Sequence, residues 1–260
     1  MSGNYQNLAL EQDFSLFNMG GTQANGLVQF KQSWLGENNR STVLNASAGY
    51  LIQKLDNEVG ISALDITVED VPVNVSVDFK KPSIKRYSNL SFTTQAGWLM
   101  KYESPVPLEN EFWFALKSNY SFVQSFTGAG IQTGIDFNLN VSGQYALTDL
   151  PSHRRFSLSG PNKVASLDSG ILSSDSAWFV ESSLKYFDIN FWKINTVFEL
   201  QAQIAQGKTQ GAITDQVIGL GSVLDLNIGP FSSKTKVFTD ENFTSPKIWF
   251  EIALQWPGGI

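Results

Sequence analysis

The chain has 260 residues, of which 42% are hydrophobic, 13% aromatic and 16% charged, and this composition excludes a disordered or fibrous protein. Its formal net charge of -6 and its lack of cysteine disfavour a nucleic-acid partner and exclude disulfides, zinc fingers and thiol nucleophiles. The length predicts one domain over residues 1–260.

The chain has neither a membrane-spanning helix nor a secretory signal in its sequence pattern. No stretch approaches the roughly 20 apolar residues that a spanning helix needs. Residues 1–4 lack the basic start and apolar core of a signal peptide, which predicts a mature or recombinant chain whose signal has been removed.

Apolar and polar residues alternate with period two along almost the whole chain, and clusters of turn-forming residues interrupt the alternation. Because single-chain bacterial barrels usually have an even number of strands, we expect twelve strands, with fourteen as the alternative. Several segments are long enough to cross a bilayer as tilted strands. The thirteen candidate segments are 8–16, 27–35, 42–53, 58–68, 71–79, 88–102, 111–126, 134–147, 174–187, 193–205, 217–228, 231–239 and 247–256.

The alternation is clearest at 134–147, where one face is apolar and the other polar. Aromatic residues such as Trp98, Trp178 and Trp249 lie near the ends of predicted strands, as in the aromatic girdles of membrane barrels. The sequence therefore predicts an all-β fold, an antiparallel transmembrane β-barrel in an outer membrane. Closure of this barrel requires pairing between segments 8–16 and 247–256.

Few residues have the pattern of a catalytic or metal site. The single histidine, His153, lies in a predicted loop, where a histidine is usually solvated. The acidic pairs Glu69-Asp70 and Asp240-Glu241 are interpreted as solvated turn residues without metal-loop spacing. We predict no enzymatic activity, no cofactor and no metal site.

The C-terminal half, about residues 132–256, resembles the barrel domain of two-partner secretion transporters, the haemolysin and haemagglutinin activator proteins. The similarity consists of short motifs in a shared order. They are Gly143-Gln144-Tyr145-Ala146, Leu150-Pro151, Arg155 to Gly160, Val164-Ala165-Ser166-Leu167, Ser174-Asp175 and Gly219-Leu220-Gly221.

The resemblance implies a long loop, residues 148–173, that folds into the barrel lumen. In the family, an arginine of a Val-Arg-Gly-aromatic motif holds this loop by pairing with an acidic residue of the inner wall. Here Ala165 occupies the arginine position and Ser166 the glycine position within the stretch that begins at Val164. The candidate anchor is a substitute cation paired with Glu199, and the candidate cations are Arg154, Arg155 and Lys163.

Three functions remain open within this fold: a polypeptide translocation pore, a passive diffusion porin, and a plugged barrel that anchors an envelope complex. The expected partners are the lipid bilayer, together with a secreted polypeptide or other proteins of the Gram-negative envelope. A soluble β-sandwich binding protein is the alternative outside membranes.

Overall fold

The computed structural model describes the residues from 2 to 254 with gaps. The described ranges are 2–9, 19–57, 66–83, 85–103, 108, 111–127, 133–159, 163–166, 173–191, 194–209, 212–213, 216–228, 231–240 and 246–254.

Within these ranges the chain forms fifteen strands, twelve of them in one continuous antiparallel path. Each strand of the path pairs with its neighbours in the chain, except that β7 pairs with β10 across the long loop and β11 pairs with β13 past the short β12. Short strands β8 and β9 pair with each other, and β12 pairs with β11. The strands are β1 Ser2–Ala9, β2 Met19–Leu35, β3 Ser41–Asn57, β4 Ile66–Pro82, β5 Arg86–Glu103, β6 Phe112–Thr127, β7 Thr133–Ala146, β8 Phe156–Ser157, β9 Ser173–Ser174, β10 Ser176–Phe191, β11 Ile194–Thr209, β12 Ala212–Ile213, β13 Val217–Ile228, β14 Phe231–Asp240 and β15 Lys247–Leu254.

Two short 3-10 helices, Glu37–Asn39 and Ser152–Arg154, interrupt the strand pattern. No helix among the described residues has the length and apolar character that crossing a bilayer requires. Of the predicted first segment, 8–16, only residues 8 and 9 fall in the described part, and no β1–β15 pairing is recorded there.

The path of twelve strands agrees with the predicted number, and β4 explains the thirteenth candidate segment. Segments 58–68 and 71–79 were predicted as two strands with the acidic pair Glu69-Asp70 interpreted as a turn between them. Residues 58–65 lie outside the described residues. Residues 66–82 form one strand, which joins the end of the first segment to the second, and the irregularity is a register shift against β5 at Glu69/Asp70. A bulge of this kind breaks the alternation without ending the strand.

The sheet has one polar and one apolar face, because successive side chains of a strand point to opposite sides. We call the polar side, which also contacts the long loop, the inner face. On β7 it carries Asn138 and Asn140, which donate to Ser183 Oγ at 3.1 Å and to Glu181 Oε1 at 3.2 Å on β10. The outer face carries exposed apolar side chains, among them Val28, Phe30, Val73, Val75, Phe79, Phe92, Leu116, Ile135, Tyr145, Trp178, Leu184, Phe198, Leu200, Leu224, Ile248, Phe250 and Ile252.

Candidate functional site

The candidate site is the segment between β7 and β10, residues 147–175, which we call the inner loop. Its described parts are 147–159, 163–166 and 173–175. The side chains of Leu150, Leu158 and Val164 are fully buried. A surface loop does not normally bury apolar side chains completely, so this loop is packed against the sheet.

The first attachment of the inner loop is a cluster around Asp70 on β4. Arg154 donates from Nε and Nη2 to Asp70 Oδ2 at 2.9 and 2.8 Å, and Trp113 Nε1 donates to Asp70 Oδ1 at 2.9 Å. The Arg154 guanidinium also lies 5.0 Å from the centre of the Trp113 ring. Asp70 is 0% exposed, so this charge depends on these partners.

Asp70 was wrongly predicted to be a solvated turn residue. Its position inside β4 places it on the inner face, where the loop covers it. The ring of Trp113 lies over Gly97 of β5, and a Cβ at Gly97 would lie 2.8 Å from Asp70 Oδ1. The glycine therefore provides the space in which this carboxylate and the indole meet.

His153 was also wrongly predicted to be solvated. Its side chain is 11% exposed, and its Nε2 lies 3.1 Å from Asp70 Oδ2. Because a carboxylate only accepts, the hydrogen is on Nε2, and Nδ1 has no hydrogen-bond partner among the described residues. Burial lowers the pKa of His153 and the Arg154 charge adds to this, whereas the hydrogen bond to Asp70 opposes it.

The second attachment is Asp175, which connects both ends of the inner loop. Arg155 Nε donates to Asp175 Oδ1 at 3.0 Å, and the backbone N–H of Leu150 donates to the same oxygen at 3.2 Å. Gln144 on β7 donates from Nε2 to the carbonyl oxygens of Arg154 and Asp175 at 3.1 and 2.9 Å. These bonds fix the loop where it leaves and rejoins the sheet.

The third attachment begins at Lys163, whose ammonium group lies between two aromatic rings. Lys163 Nζ is 4.4 Å from the Phe156 ring centre and 4.9 Å from that of Phe179 on β10, and it donates to Ser142 Oγ at 3.1 Å. Burial lowers the pKa of Lys163, and the nearby charge of Glu181 opposes this effect. The cation–π contacts stabilise the charge in a partly buried position.

Ala165, at the family's arginine position, is fully buried against Val223 and Phe238 of the inner face. Its backbone N–H donates to Gln203 Oε1 at 2.9 Å, and Gln203 Nε2 in turn donates to Glu181 Oε2 at 2.9 Å. Apolar packing and one backbone hydrogen bond thus replace the family's buried ion pair. Replacing a buried ion pair by apolar packing often costs little stability.

Glycines of the inner wall make room for this part of the loop. A Cβ at Gly207 would lie 2.8 Å from Leu158 Cδ1 and would also overlap Ser174, and a Cβ at Gly219 would lie 3.2 Å from Val164 Cγ1. These contacts are tighter than side chains normally allow. The wall is therefore shaped to receive the loop.

The structure brings most of the predicted site residues to the inner face. The candidate cations, however, bind residues other than Glu199. Arg154 and Arg155 pair with Asp70 and Asp175. Glu199 lies in the sheet opposite Lys185 on β10 and Val223 on β13. Ser166, next to Ala165, is buried near Gly219. Within the described ranges, no three His, Asp or Glu side chains cluster to hold a metal ion.

Acidification should weaken docking of the inner loop, because burial holds the pKa of His153 below its ordinary 6.5. The docked loop binds a proton less readily than a released loop, so protonation favours release as the pH falls below about 6.5, and the effect saturates below the docked pKa. Asp70 and Arg154 are the charged groups that act on the ring among the described residues. We expect faster proteolysis within the inner loop at pH 5 than at pH 7.5. A His153→Gln variant should lose most of this response, and an unchanged response would contradict the assignment to His153.

The comparisons with known proteins agree with this architecture. The model of the family described as haemolysin secretion/activation protein ShlB/FhaC/HecB matches residues 10–227, which extends well beyond the C-terminal half that suggested the resemblance. CdiB from Acinetobacter baumannii has a similar structure, with a TM-score of 0.72 and 14% identity over 98% of this chain and 46% of CdiB. CdiB from Escherichia coli matches with a TM-score of 0.72 and 10% identity, over 97% of this chain and 49% of its own. No curated protein matches the chain in sequence.

The chain thus spans about half the length of these CdiB proteins. The shared fold, the antiparallel path of twelve strands and the apolar outer face together confirm the predicted transmembrane β-barrel. The inner face is accordingly the face of the barrel lumen, and the inner loop lies against it.

Proposed function

Because the chain belongs to the haemolysin secretion/activation family of ShlB, FhaC and HecB, a family of outer-membrane proteins, we propose that it is a polypeptide translocation pore whose inner loop closes the lumen at rest. The observation that carries the proposal is the attachment of this loop to the inner wall at Asp70, Asp175 and the Lys163–Ser166 stretch. The proposed substrate is a secreted polypeptide, and the whole chain acts as one barrel domain.

The attachments suit a reversible closure. Besides the buried apolar side chains, they include hydrogen bonds and ion pairs between loop and wall, which a polar lumen can replace with water when the loop leaves. The inner wall also offers amide and hydroxyl side chains, such as Asn138 and Ser183, that bond to each other across strands. Groups that already bond to each other in this way bind a passing chain only weakly.

We propose transport without enzymatic chemistry. A histidine that activates a nucleophile needs one ring nitrogen for the nucleophile and the other for an orienting group. His153 Nε2 lies on Asp70, and Nδ1 has no hydrogen-bond partner among the described residues. The same carboxylate also binds Arg154, which makes it a structural anchor of the loop.

The test is single-channel conductance in planar bilayers, with the intact chain compared with a variant that lacks residues 152–170. We expect brief, rare openings of the intact protein and a steady, larger conductance of the variant. Equal and steady conductance of both proteins would instead identify a passive porin. Silence of both would leave a barrel that only anchors other envelope proteins, and would overturn the proposal.

A further inference from the structure

We propose that the outer face binds one anionic phospholipid, such as phosphatidylglycerol, at the turn between β4 and β5. Lys81, Arg86 and Ser88 contact its phosphate. All three lie on the outer side of their strands, in step with the exposed rings of Phe79 and Phe92. The site goes beyond translocation, since it lies on the side of the barrel that faces lipid.

The β4–β5 turn lies at the end of the barrel where the strands have short connections. Along the twelve-strand path, the connections at this end have at most five residues each, whereas those at the opposite end, which include the inner loop, have at least six. Bacterial barrels have short turns on the periplasmic side and longer loops on the outside. The turn is therefore beside the inner leaflet of the outer membrane, which consists of glycerophospholipids.

Lys81 and Arg86 are two neighbouring positive charges on the outer face. Lys81 pairs with Ser88, which is two residues from Arg86, so the two cations are diagonal neighbours with Cβ atoms about 7 Å apart. Both side chains are exposed, and neither forms an ion pair among the described residues. Like charges at this distance repel each other, so an anion bound between them removes an unfavourable interaction.

The Arg86 side chain is already held in place. Its guanidinium lies 4.9 Å from the centre of the Phe122 ring on β6, and Phe122 packs edge-on against Phe137 on β7, with 6.4 Å between the ring centres. The turn itself is fixed, because the carbonyl oxygen of Lys85 accepts from the Ser125 N–H at 2.8 Å. A guanidinium that is ordered before binding loses little conformational freedom when it binds a phosphate.

The arrangement of donors selects the headgroup. Lys81, Arg86 and Ser88 supply an ammonium, a guanidinium and a hydroxyl group, and charged donors of this kind form strong hydrogen bonds with phosphate. Lys85 in the turn adds a third exposed cation. This excess of positive charge attracts a headgroup with a net negative charge and repels the amine of phosphatidylethanolamine. The acyl chains then lie along the exposed apolar side chains of the outer face, among them Phe79.

The experiment is native mass spectrometry of the full chain in detergent, titrated with phosphatidylglycerol, phosphatidylethanolamine, lipid A or polyglutamate. We expect one phosphatidylglycerol to be retained, with the other three ligands bound more weakly. Lys81→Gln and Arg86→Gln should each lower the affinity for phosphatidylglycerol about fivefold, as expected for one basic residue near an anionic lipid surface. Arg86→Lys should lower it less, because the charge remains while the stacked guanidinium is lost.

The matched control is Lys54→Gln. It removes an exposed lysine from the outer side of β3 at the opposite end of the barrel, and it should leave phosphatidylglycerol binding unchanged. If Arg86→Gln fails to fold by circular dichroism, Lys81→Gln and Ser88→Ala test the same site. Equal retention by Lys81→Gln and the unchanged protein, an equal loss in Lys54→Gln, or stronger retention of phosphatidylethanolamine or lipid A would overturn the proposal. Retention of polyglutamate but not of phosphatidylglycerol would assign the turn to an acidic protein and would also overturn it.

Discussion

We expect the substitution Asp70→Asn to give steady conductance if the inner loop closes the lumen as proposed. The side chain keeps its shape but loses its charge, and its new N–H group faces the Arg154 guanidinium, which donates to Oδ2 at 2.8 Å in the native cluster. Removing one partner of a buried pair typically costs about 3–5 kcal/mol, because the other charge stays buried without compensation. The measurement is open probability in planar bilayers, together with the thermal unfolding temperature.

Asp78→Asn is the matched control for this substitution. Asp78 lies on the same strand and the same face, but it accepts from Asn45 Nδ2 at 3.0 Å. Its replacement should leave the open probability unchanged. If both variants open equally, or if Asp70→Asn stays closed while remaining folded, the attachment at Asp70 does not hold the loop.

Gly207→Val should also open the channel, by a steric rather than an electrostatic route. The new side chain would occupy the space of Ser174 and of Leu158 Cδ1, which would lie 2.8 Å from its Cβ. Forcing extra methyl groups into a packed site costs about 1–3 kcal/mol. Because the strand itself tolerates valine, we expect this cost to be relieved by release of the loop, seen as higher conductance and faster proteolysis of the inner loop.

Gly26→Val on β2 provides the comparison, since a Cβ at Gly26 meets nothing within 4 Å. This variant should conduct and resist proteolysis as the unchanged protein does. If the Gly207→Val protein refolds with a protected loop and low conductance, the strands of the inner wall move to accept the valine and the loop stays docked.

The strands could be predicted from the sequence because their signal is local. The alternation at 134–147 gave β7 to within one residue at each end, and its polar side chains bond across to β10. At β4 the same rule failed, since a register shift beside an acidic pair resembles a turn. Misreading β4 also concealed Asp70, the acidic partner of the inner loop.

The anchors of the inner loop could not be predicted, because they depend on which residues face each other across the lumen. The cation Arg154 was a candidate, but nothing in the sequence distinguishes Asp70 from other carboxylates as its partner. His153 was assigned to solvent for the same reason, since loop residues are usually exposed. Gly207 and Gly219 carry a weak signal, because glycine inside a strand indicates a close approach.

The ladder of neighbouring strands also has a consequence for the order of assembly. Each hairpin pairs residues near in sequence, whereas Asp70 and Arg154 are 84 positions apart. Contacts between distant positions form late, since chain closure must first bring them together. We therefore expect the hairpins from β4 to β7 to form before the Asp70 attachment, so the inner loop docks onto strands that have already paired.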